Sequence, residues 1–398
     1  MVDPVALIKG WFAQGGAAVL YRAVELSNLP SVVTLAAVRD VLPVTQALVQ
    51  RLNLTIGSDS LDMRGMKALD AIELSQKHIH ETSGLAFQRG KSLLKGKLVD
   101  FIIKQKLFTV YLKNGCIPYT HDHGLLRDIL AKAPWPHPIK VFGYNQQWQL
   151  FGGYTFEAET NCFKLLGQVA SQYSSSLAFW SGRQRLAPLP LAQPSPSLIR
   201  YDPKVTYVAL IYGDMDNIDF VLGFARKHMQ YRVARCQKDP QACFPLTWTL
   251  SPNLLDLAPE VLAWYYDQAR QAGNDWFIMP PSGTLYAYPG EFHPVIREAY
   301  VEHMNAAGRM MDTTGSIHWE WITTWPNAFK NYFPMYKNAT SQIKLFFLNN
   351  VPWMFPILEM LAKHETYRVM EGGVVAFKPA FTWSYGHAIG GESLPPKL

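Results

Sequence analysis

The segment 246–279, LTWTLSPNLLDLAPEVLAWYYDQARQAGNDWFIM, decides the fold class. Two short apolar runs, 246–250 and 275–279, flank a stretch, 259–272, in which apolar residues recur with helical periodicity. A strand that is followed by a helix and then by a second strand is the building unit of a parallel sheet. The segment therefore predicts a β–α–β unit.

The same alternation of apolar runs and helical patterns extends from residue 139 to residue 377. Further strands are predicted at 139–144, 176–180, 206–212, 316–321, 343–348 and 374–377, and further helices at 158–173, 218–231, 295–307 and 352–364. Eight strands that alternate with helices favour an α/β fold of the (β/α)8 TIM-barrel type. The connection 181–203 is too rich in proline for a helix, so we expect an imperfect barrel.

Residues 1–135 are predicted to form a smaller N-terminal α/β accessory region. Within it, residues 30–42 suggest a strand that leads into a helix, and residues 92–107 show helical periodicity. The joint APWPHP at 133–138 cannot be crossed by a helix. We therefore place the domain boundary there, with a barrel-like catalytic domain over 136–398.

Composition excludes several classes of protein. A chain of 398 residues with 48% hydrophobic and 17% charged residues is not disordered. The net charge of +6 comes without a run of Lys and Arg, so no nucleic-acid partner is expected. No stretch reaches the roughly 18 apolar residues of a membrane helix. The aromatic content of 13%, with 12 Trp and 19 Tyr, is typical of clefts in which rings stack on sugars.

The cysteines and glycosylation triplets bear on localisation. Cys236 and Cys243 bracket a short loop and could form a disulfide in a secreted protein, whereas the alternative is four unpaired thiols. The triplets at Asn53 and Asn338 also fit a secretory route, although the first residues make a poor signal peptide. We expect an extracellular or secretory location, and the sequence leaves the oligomeric state open.

Candidate catalytic residues follow the predicted strands, because barrels place their active sites at the carboxyl ends of strands. Asp214, Asp216 and Asn217 follow the run 206–212, and Glu320 lies between two tryptophans at the end of a later run. Glycoside hydrolysis requires two carboxylates that flank one bond. We therefore predict Asp216 and Glu320 as the pair, with Asp214 as a further catalytic residue. The alternatives are helix caps for the aspartates and a salt-bridged surface position for the glutamate.

A substrate-binding set is predicted around the same strand ends. In an extended segment Tyr286 and Tyr288 would point the same way and form a wall, and the alternative is that they pack beneath the loop. Glu157 could instead be the acidic first turn of a helix. The complete set of predicted binding residues is Asn217, Ser282, Tyr286, Tyr288, Trp321, Trp180, Tyr144 and Glu157.

No metal or other cofactor is expected. Asp214 and Asp216 could bind calcium, but the turn supplies too few oxygen ligands for that ion. The clusters 121–123 (HDH) and 78–81 (HIHE) imitate the spacing of metal ligands without the HExxH pattern, so structural roles are expected. Motifs of serine esterases, P-loop NTPases and dinucleotide-binding enzymes are absent from the sequence.

The motif GTLYAYP at 283–289 resembles the signature of the GxGYxYP family of putative glycoside hydrolases, with Leu285 where the family has Gly. The turn DMDN at 214–217 and the segments 152–171 and 246–259 are also similar to that family. The resemblance implies a barrel-like catalytic domain after α/β subdomains, and hydrolysis of a carbohydrate. Because the N-terminal region is short for the family, we expect a truncated start. The rival hypothesis is a non-catalytic carbohydrate-binding or scaffold protein on a degenerate barrel.

Overall fold

The structure of the protein is a computed structural model, in which two compact units are distinguished. The residues described are 3–136, 139–143, 167–171, 176–183, 191–194, 202–213, 215, 218–284, 287–320, 324–348, 366–379, 382–384 and 387–389. The first unit comprises Met1–Leu166 and Ser171–Ala178, and the second comprises Gly167–Ala170 and Phe179–Leu398.

Short helices and small parallel sheets build the first unit. Its helices are α1 (Pro4–Ala13), α2 (Leu29–Val38), α3 (Gln46–Leu52), α4 (Ala68–Gln76), α5 (Gly90–Leu94), α6 (Val99–Gln105) and α7 (His121–Lys132), with a 3-10 turn at Ile79–Glu81. Its strands are β1 (Ala18–Tyr21), β2 (Leu42–Thr45), β3 (Leu61–Asp62), β4 (Leu85–Phe87), β5 (Phe108–Val110) and β6 (Ile139–Gly143). Strand β1 pairs in parallel with β2 and β3, and β4 pairs in parallel with β5 and β6.

Helix α2 is the buried centre of the first unit. All ten of its residues are buried, which is why apolar residues cover every face of the helix. Two of its residues, Ser31 and Thr34, carry hydroxyls. That of Thr34 accepts a hydrogen bond of 2.8 Å from the backbone N–H of Thr109 on β5. This contact compensates for the burial of a polar side chain.

The sequence prediction for the first unit is correct in part. For residues 30–42 it is wrong, because helix α2 precedes strand β2, and periodicity cannot separate a wholly buried helix from a buried strand. The pattern at 92–107 is interrupted between α5 and α6, where Gly96 and Leu98 have φ of +74° and +62°. Strand β6, which follows the Pro-rich joint, pairs with β4 and belongs to the first unit. The first unit therefore extends beyond the boundary predicted at residue 135.

The division between the units falls within strand β7 (Gly167–Ser171) and helix α8 (Leu177–Ser181). Both differ from expectation. The strand predicted at 176–180 is wrong, since a run this short can fit either a helix or a strand. The helix predicted at 158–173 contains β7 in its described part, and the helix predicted at 352–364 lies outside the described residues.

The remaining elements form the second unit. Its helices are α9 (Ile218–Phe220), α10 (Arg226–Lys238), α11 (Leu254–Leu257), α12 (Pro259–Ala272), α13 (Pro294–Met310) and α14 (Trp325–Asn327). Its strands are β8 (Ile211–Tyr212), β9 (Leu246–Thr249), β10 (Asp275–Ile278), β11 (Gly315–His318), β12 (Leu345–Leu348), β13 (Tyr367–Met370), β14 (Val374–Phe377), β15 (Thr382–Ser384) and β16 (His387–Ile389). Stretches of π-helix lie at Val221–Ala225 and Ala328–Tyr332, and 3-10 turns lie at Pro240–Ala242, Pro289–Glu291, Phe333–Tyr336 and Glu371–Gly373.

Parallel strands of the second unit neighbour one another in chain order. Strands β8, β9 and β10 form one parallel sheet, and β11, β12 and β14 form another, with β13 antiparallel to β14. A parallel bridge between Met279 and Ser316 links β10 to β11. This order is compatible with a barrel, but the described strands form no closed ring. The structure is therefore a mixed α/β fold with parallel sheets, and it does not confirm the TIM barrel.

The β–α–β unit predicted over 246–279 is confirmed, and its bounds differ from the predicted ones by one residue at most. Helix α12 begins with Pro259 in its first turn and is followed by Gly273 with φ of +83°. Proline is favoured at the first position of a helix, and glycine in the left-handed conformation ends helices. These local signals explain why the bounds of α12 could be predicted from the sequence.

A disulfide joins Cys236, near the end of α10, to Cys243, and their Cα atoms are 4.9 Å apart. The predicted bridge is thus confirmed, and the alternative of four unpaired thiols is wrong. Cys116 is also disulfide-bonded. Separately, no helix among the described residues has the length and apolarity needed to cross a membrane.

A buried ion pair connects α10 to the start of β10. The Nε of Arg232 lies 3.0 Å from Oδ1 of Asp275, whose side chain is 0% exposed while that of Arg232 is 10% exposed. The indole N–H of Trp248 on β9 donates to the same oxygen at 2.6 Å. Three elements of the second unit therefore meet at one carboxylate.

We predict that Asp275→Asn lowers the free energy of unfolding by about 3–5 kcal/mol, because it removes the buried carboxylate that neutralises the charge of Arg232. The matched control is Asp267→Asn, which breaks an ion pair with Arg270 whose two side chains are 57% and 53% exposed. That change should matter by less than about 1 kcal/mol. Urea unfolding of both variants measures the difference, and equal losses would contradict the prediction.

Candidate functional site

The carboxyl ends of the parallel strands of the second unit meet along one edge. Tyr212 at the end of β8 is in register with Trp248, and Ile278 is in register with Thr249. Beyond β8, the backbone N–H of Met215 donates to the hydroxyl of Thr249 at 3.2 Å. Met215, the one described residue of the segment 214–217, is therefore anchored at the end of β9.

Ser282 joins the loop after β10 to the end of β11. Its hydroxyl donates to the backbone carbonyl of Trp319 at 2.7 Å and accepts from the backbone N–H of the same residue at 2.8 Å. The side chain is buried. The structure thus places this predicted binding residue at the expected edge, where its hydroxyl bridges two loops.

Glu320 lies just beyond β11 with its carboxyl group inside the protein, at 0% exposure. Its Oε1 accepts a hydrogen bond of 2.6 Å from the backbone N–H of Gly290 and lies 3.1 Å from Nε2 of His318. Its Oε2 accepts a hydrogen bond of 2.5 Å from the hydroxyl of Thr324. The carboxyl group therefore connects the turn at Gly290 to His318 and Thr324, its own neighbours in the sequence.

The histidine that contacts Glu320 lies among aromatic rings. The ring of His318 stacks on Tyr332, with centroids 5.1 Å apart, and also contacts Phe333 and Phe346. Burial raises the pKa of the Glu320 carboxyl above its ordinary value, and the hydrogen bonds from His318, Thr324 and Gly290 oppose that rise. The side chain therefore holds its proton to a higher pH than an exposed glutamate does.

Close packing explains the glycine at position 290. A Cβ there would lie 2.8 Å from the backbone nitrogen of Ala328 and 2.9 Å from Oε1 of Glu320. Any larger residue would push the carboxylate away from the N–H that it accepts from. Glycine is thus required for the contact between this turn and Glu320.

Arg297 also bonds the backbone of this turn. Its guanidinium donates to the carbonyls of Pro289, Gly290 and Phe292, at 3.2, 3.1 and 2.6 Å. Burial lowers the pKa of Arg297, and the charges of Glu320 and Glu291 oppose that change. The backbone of the turn is therefore bonded both through its N–H, to Glu320, and through its carbonyls, to Arg297.

Tyr288, in the loop before this turn, is a core residue. Its side chain is 0% exposed, which is what the packing alternative for the two tyrosines requires. Tyr286 lies outside the described residues, so the predicted pairing of both rings in one wall remains a prediction.

The other predicted site residues are distributed as follows. Trp180 lies on α8, half-buried, with its ring 5.2 Å from that of Phe179. The predicted residues outside the described part of the chain are Asp214, Asp216, Asn217, Trp321, Tyr144 and Glu157. The separation of Asp216 from Glu320 therefore remains a prediction.

One group of described histidines, cysteines and carboxylates has its potential ligand atoms close enough together to hold a metal ion. Cys236, Cys243 and Asp275 lie close together, but the two sulfurs are joined in a disulfide and are not thiolate ligands. In the HDH cluster, Asp122 accepts from the backbone N–H of Asn114 at 2.9 Å and the His123 ring bonds the carbonyl of Gly115. These contacts connect α7 to residues 114 and 115, and the structural role expected for the cluster stays a prediction.

The sequence prediction missed the partners of Glu320. His318, Thr324 and Gly290 were not singled out as functional, and neither was Arg297, which bonds the turn at Gly290. The pattern His–Trp–Glu at 318–320 is the available signal, since a histidine two residues from a glutamate can share its environment. The contact with Gly290 spans 30 residues of sequence, and no local pattern indicates it.

The candidate site lies where enzymes with parallel α/β sheets place their catalytic groups, at the carboxyl ends of strands. Residues 204–360 match the model of the GxGYxYP putative glycoside hydrolase C-terminal domain. The resemblance noted in the sequence is thus confirmed over this segment.

The fold as a whole also resembles a solved structure. It is similar to a putative hydrolase from Bacteroides thetaiotaomicron VPI-5482, with a TM-score of 0.71 and 19% identity, over 95% of this chain and 68% of that chain. Identity this low shows the fold alone. Among curated proteins, no match to the chain was found.

We predict that Glu320→Gln changes how stability depends on pH. Because the folded-state pKa is raised above the ordinary 4.5, ionisation destabilises the folded protein as pH rises from 4.5 through the raised value. The free energy of unfolding of the wild type should therefore fall relative to that of the variant over this range. Denaturant unfolding at several pH values tests this, with the exposed Glu298→Gln as control. Parallel pH curves for wild type and Glu320→Gln would contradict it.

We also predict that Tyr288→Ala lowers the free energy of unfolding by about 3–5 kcal/mol, since it opens a cavity in the core. Tyr288→Phe keeps the ring and should retain most of the stability. The fully exposed Tyr119→Ala is the control and should be near neutral. Thermal melts and a sugar titration measure these effects. A stable Tyr288→Phe variant with lost sugar affinity would show that the hydroxyl belongs to the binding site.

Proposed function

We propose that the protein is a glycoside hydrolase that uses Asp216 and Glu320 as a carboxylate pair at the strand-end edge of the second unit. The observation that carries the proposal is the buried carboxyl group of Glu320, which retains its proton to an elevated pH. A glutamate in an apolar environment with a raised pKa is suited to protonating the oxygen of a leaving group. The family match over 204–360 supports the same reaction class.

In this mechanism Glu320 is the general acid and Asp216 is the nucleophile or base. The backbone N–H of Gly290 and the hydroxyl of Thr324 orient the carboxyl group of Glu320, because positioned acids contribute more than mobile ones. Asp214 and Asn217 would orient sugar hydroxyls. The substrate is a carbohydrate, which stacks on aromatic residues of the predicted binding set.

An extracellular or secretory location is part of the proposal. The disulfide between Cys236 and Cys243 and the bonded state of Cys116 support it. Disulfides form and persist in oxidising compartments.

The alternative is a non-catalytic carbohydrate-binding protein, and one observation favours it. Both oxygens of Glu320 are engaged by protein groups, and its side chain has no exposed surface. In that case Glu320 only holds the loops in place. The protein would not be a hydrolase, because no acid would be accessible to the substrate.

Hydrolysis of a panel of aryl glycosides and polysaccharides tests the proposal. We expect Asp216→Asn and Glu320→Gln to lower kcat on polysaccharides by about 10²–10⁴-fold. On an aryl glycoside whose leaving group needs no protonation, Glu320→Gln should keep far more activity than Asp216→Asn. Asp267→Asn, on the exposed surface, controls for the loss of a carboxylate. Sugar binding without hydrolysis of any substrate would establish the alternative.

A further inference from the structure

One exposed face of the segment 224–238 carries alternating aromatic and basic side chains, and we name it the basic stripe. Positions separated by three, four and seven residues share a face of a helix, and the two large rings of the stripe, Phe224 and Tyr231, are 54% and 67% exposed. The stripe consists of Phe224, Lys227, His228, Tyr231, Arg235 and Lys238, all of them exposed.

The charged side chains of this helix are basic, with no acidic residue among them. Helix α10 has five Lys and Arg residues and no Asp or Glu. Arg232 is paired with Asp275, but none of the described carboxylates forms an ion pair with Lys227, Arg235 or Lys238. The stripe therefore presents a concentrated positive field that can attract an anion.

The helix is also held rigidly. Its opposite face, with Met229, Val233 and Cys236, is buried, and the disulfide with Cys243 secures its end. A surface that is already ordered binds without a large loss of conformational entropy. Burial of the apolar face also argues against insertion into a membrane surface, which needs that face.

The stripe begins close in the chain to the candidate site. Helix α9 starts at Ile218, directly after the acidic turn 214–217, and continues through the π-helical stretch Val221–Ala225 into α10. From Lys227 to Lys238 the helix extends about 16 Å. A polymer that lies along the stripe therefore extends toward the start of α9, which follows the acidic turn in the sequence.

We infer that the basic stripe binds a polyuronate, so that the substrate of the proposed hydrolase is an acidic polysaccharide. Every sugar of such a polymer has a ring face and a carboxylate, which matches a row of rings and cations. Lys and Arg form charge-assisted hydrogen bonds with carboxylates, and aromatic rings pack against sugar rings. The inference rests on the proposed function for the step from binding to substrate.

Binding of oligogalacturonate by isothermal titration tests the inference, with the full chain carrying Asp216→Asn so that the probe is not consumed. The triple variant Lys227→Ala, Arg235→Ala, Lys238→Ala should bind at least about tenfold more weakly and lose most of the salt dependence of binding. Alanine favours helices, so the fold should persist. Tyr231→Ala should weaken the binding that remains at high salt.

The matched control is Lys204→Ala, Arg226→Ala, Arg309→Ala, which removes the same charge from exposed positions off the stripe. Its affinity should equal that of the parent. Equal losses in both triple variants, or no binding of oligogalacturonate, would overturn the inference. So would tighter, stripe-dependent binding of dextran sulfate or duplex DNA.

Failure of the inference and failure of the proposed function give different results. Stripe-dependent binding of oligogalacturonate, with no hydrolysis by the wild type, would leave the binding surface in place and reject the hydrolase. Hydrolysis of neutral glycosides alone, with no stripe-dependent binding, would reject the polyuronate and leave the hydrolase in place.

Discussion

The buried carboxyl group of Glu320 organises the loops at the strand-end edge of the second unit. It accepts hydrogen bonds from the turn at Gly290 and from Thr324, and it contacts His318 on β11. Burying a carboxyl group without such partners is unfavourable by several kcal/mol. The loops therefore take the one arrangement in which all these groups reach it, and Arg297 completes that arrangement by bonding the carbonyls of the turn.

Local signals in the sequence were sufficient for elements whose ends are marked by particular residues. Helix α12 could be predicted because Pro259 and Gly273 mark its two ends. Helix α2 could not, because a segment buried on every side has no periodic pattern to read. Closure of a barrel depends on pairing between distant strands, which local patterns do not specify. The position of Glu320 after a strand was correctly expected, whereas its contact with Gly290, 30 residues away, was not.

Burial gives Glu320 two properties that oppose each other in catalysis. It raises the pKa, which keeps the proton available to a leaving group, and it removes the side chain from solvent, which hinders contact with a substrate. A general acid profits from the first property only if substrate can approach the carboxyl group. A carboxyl group that only stabilises the loops does not need to be accessible to a substrate. The choice between hydrolase and binding protein is therefore a question about access to one side chain rather than about which residues are present.

The basic residues of α10 fall into two groups, one that contributes to folding and one that lies on the exposed surface. The charge of Arg232 is neutralised by the buried Asp275 and so contributes to folding. Lys227, Arg235 and Lys238 serve no comparable structural contact among the described residues, and they lie in line with Tyr231 on the exposed face. Cations that lie in a row on a surface repel one another, and this repulsion does not stabilise the fold. Their arrangement is better explained by an anionic ligand that lies along them, and binding of that ligand does not depend on access to Glu320.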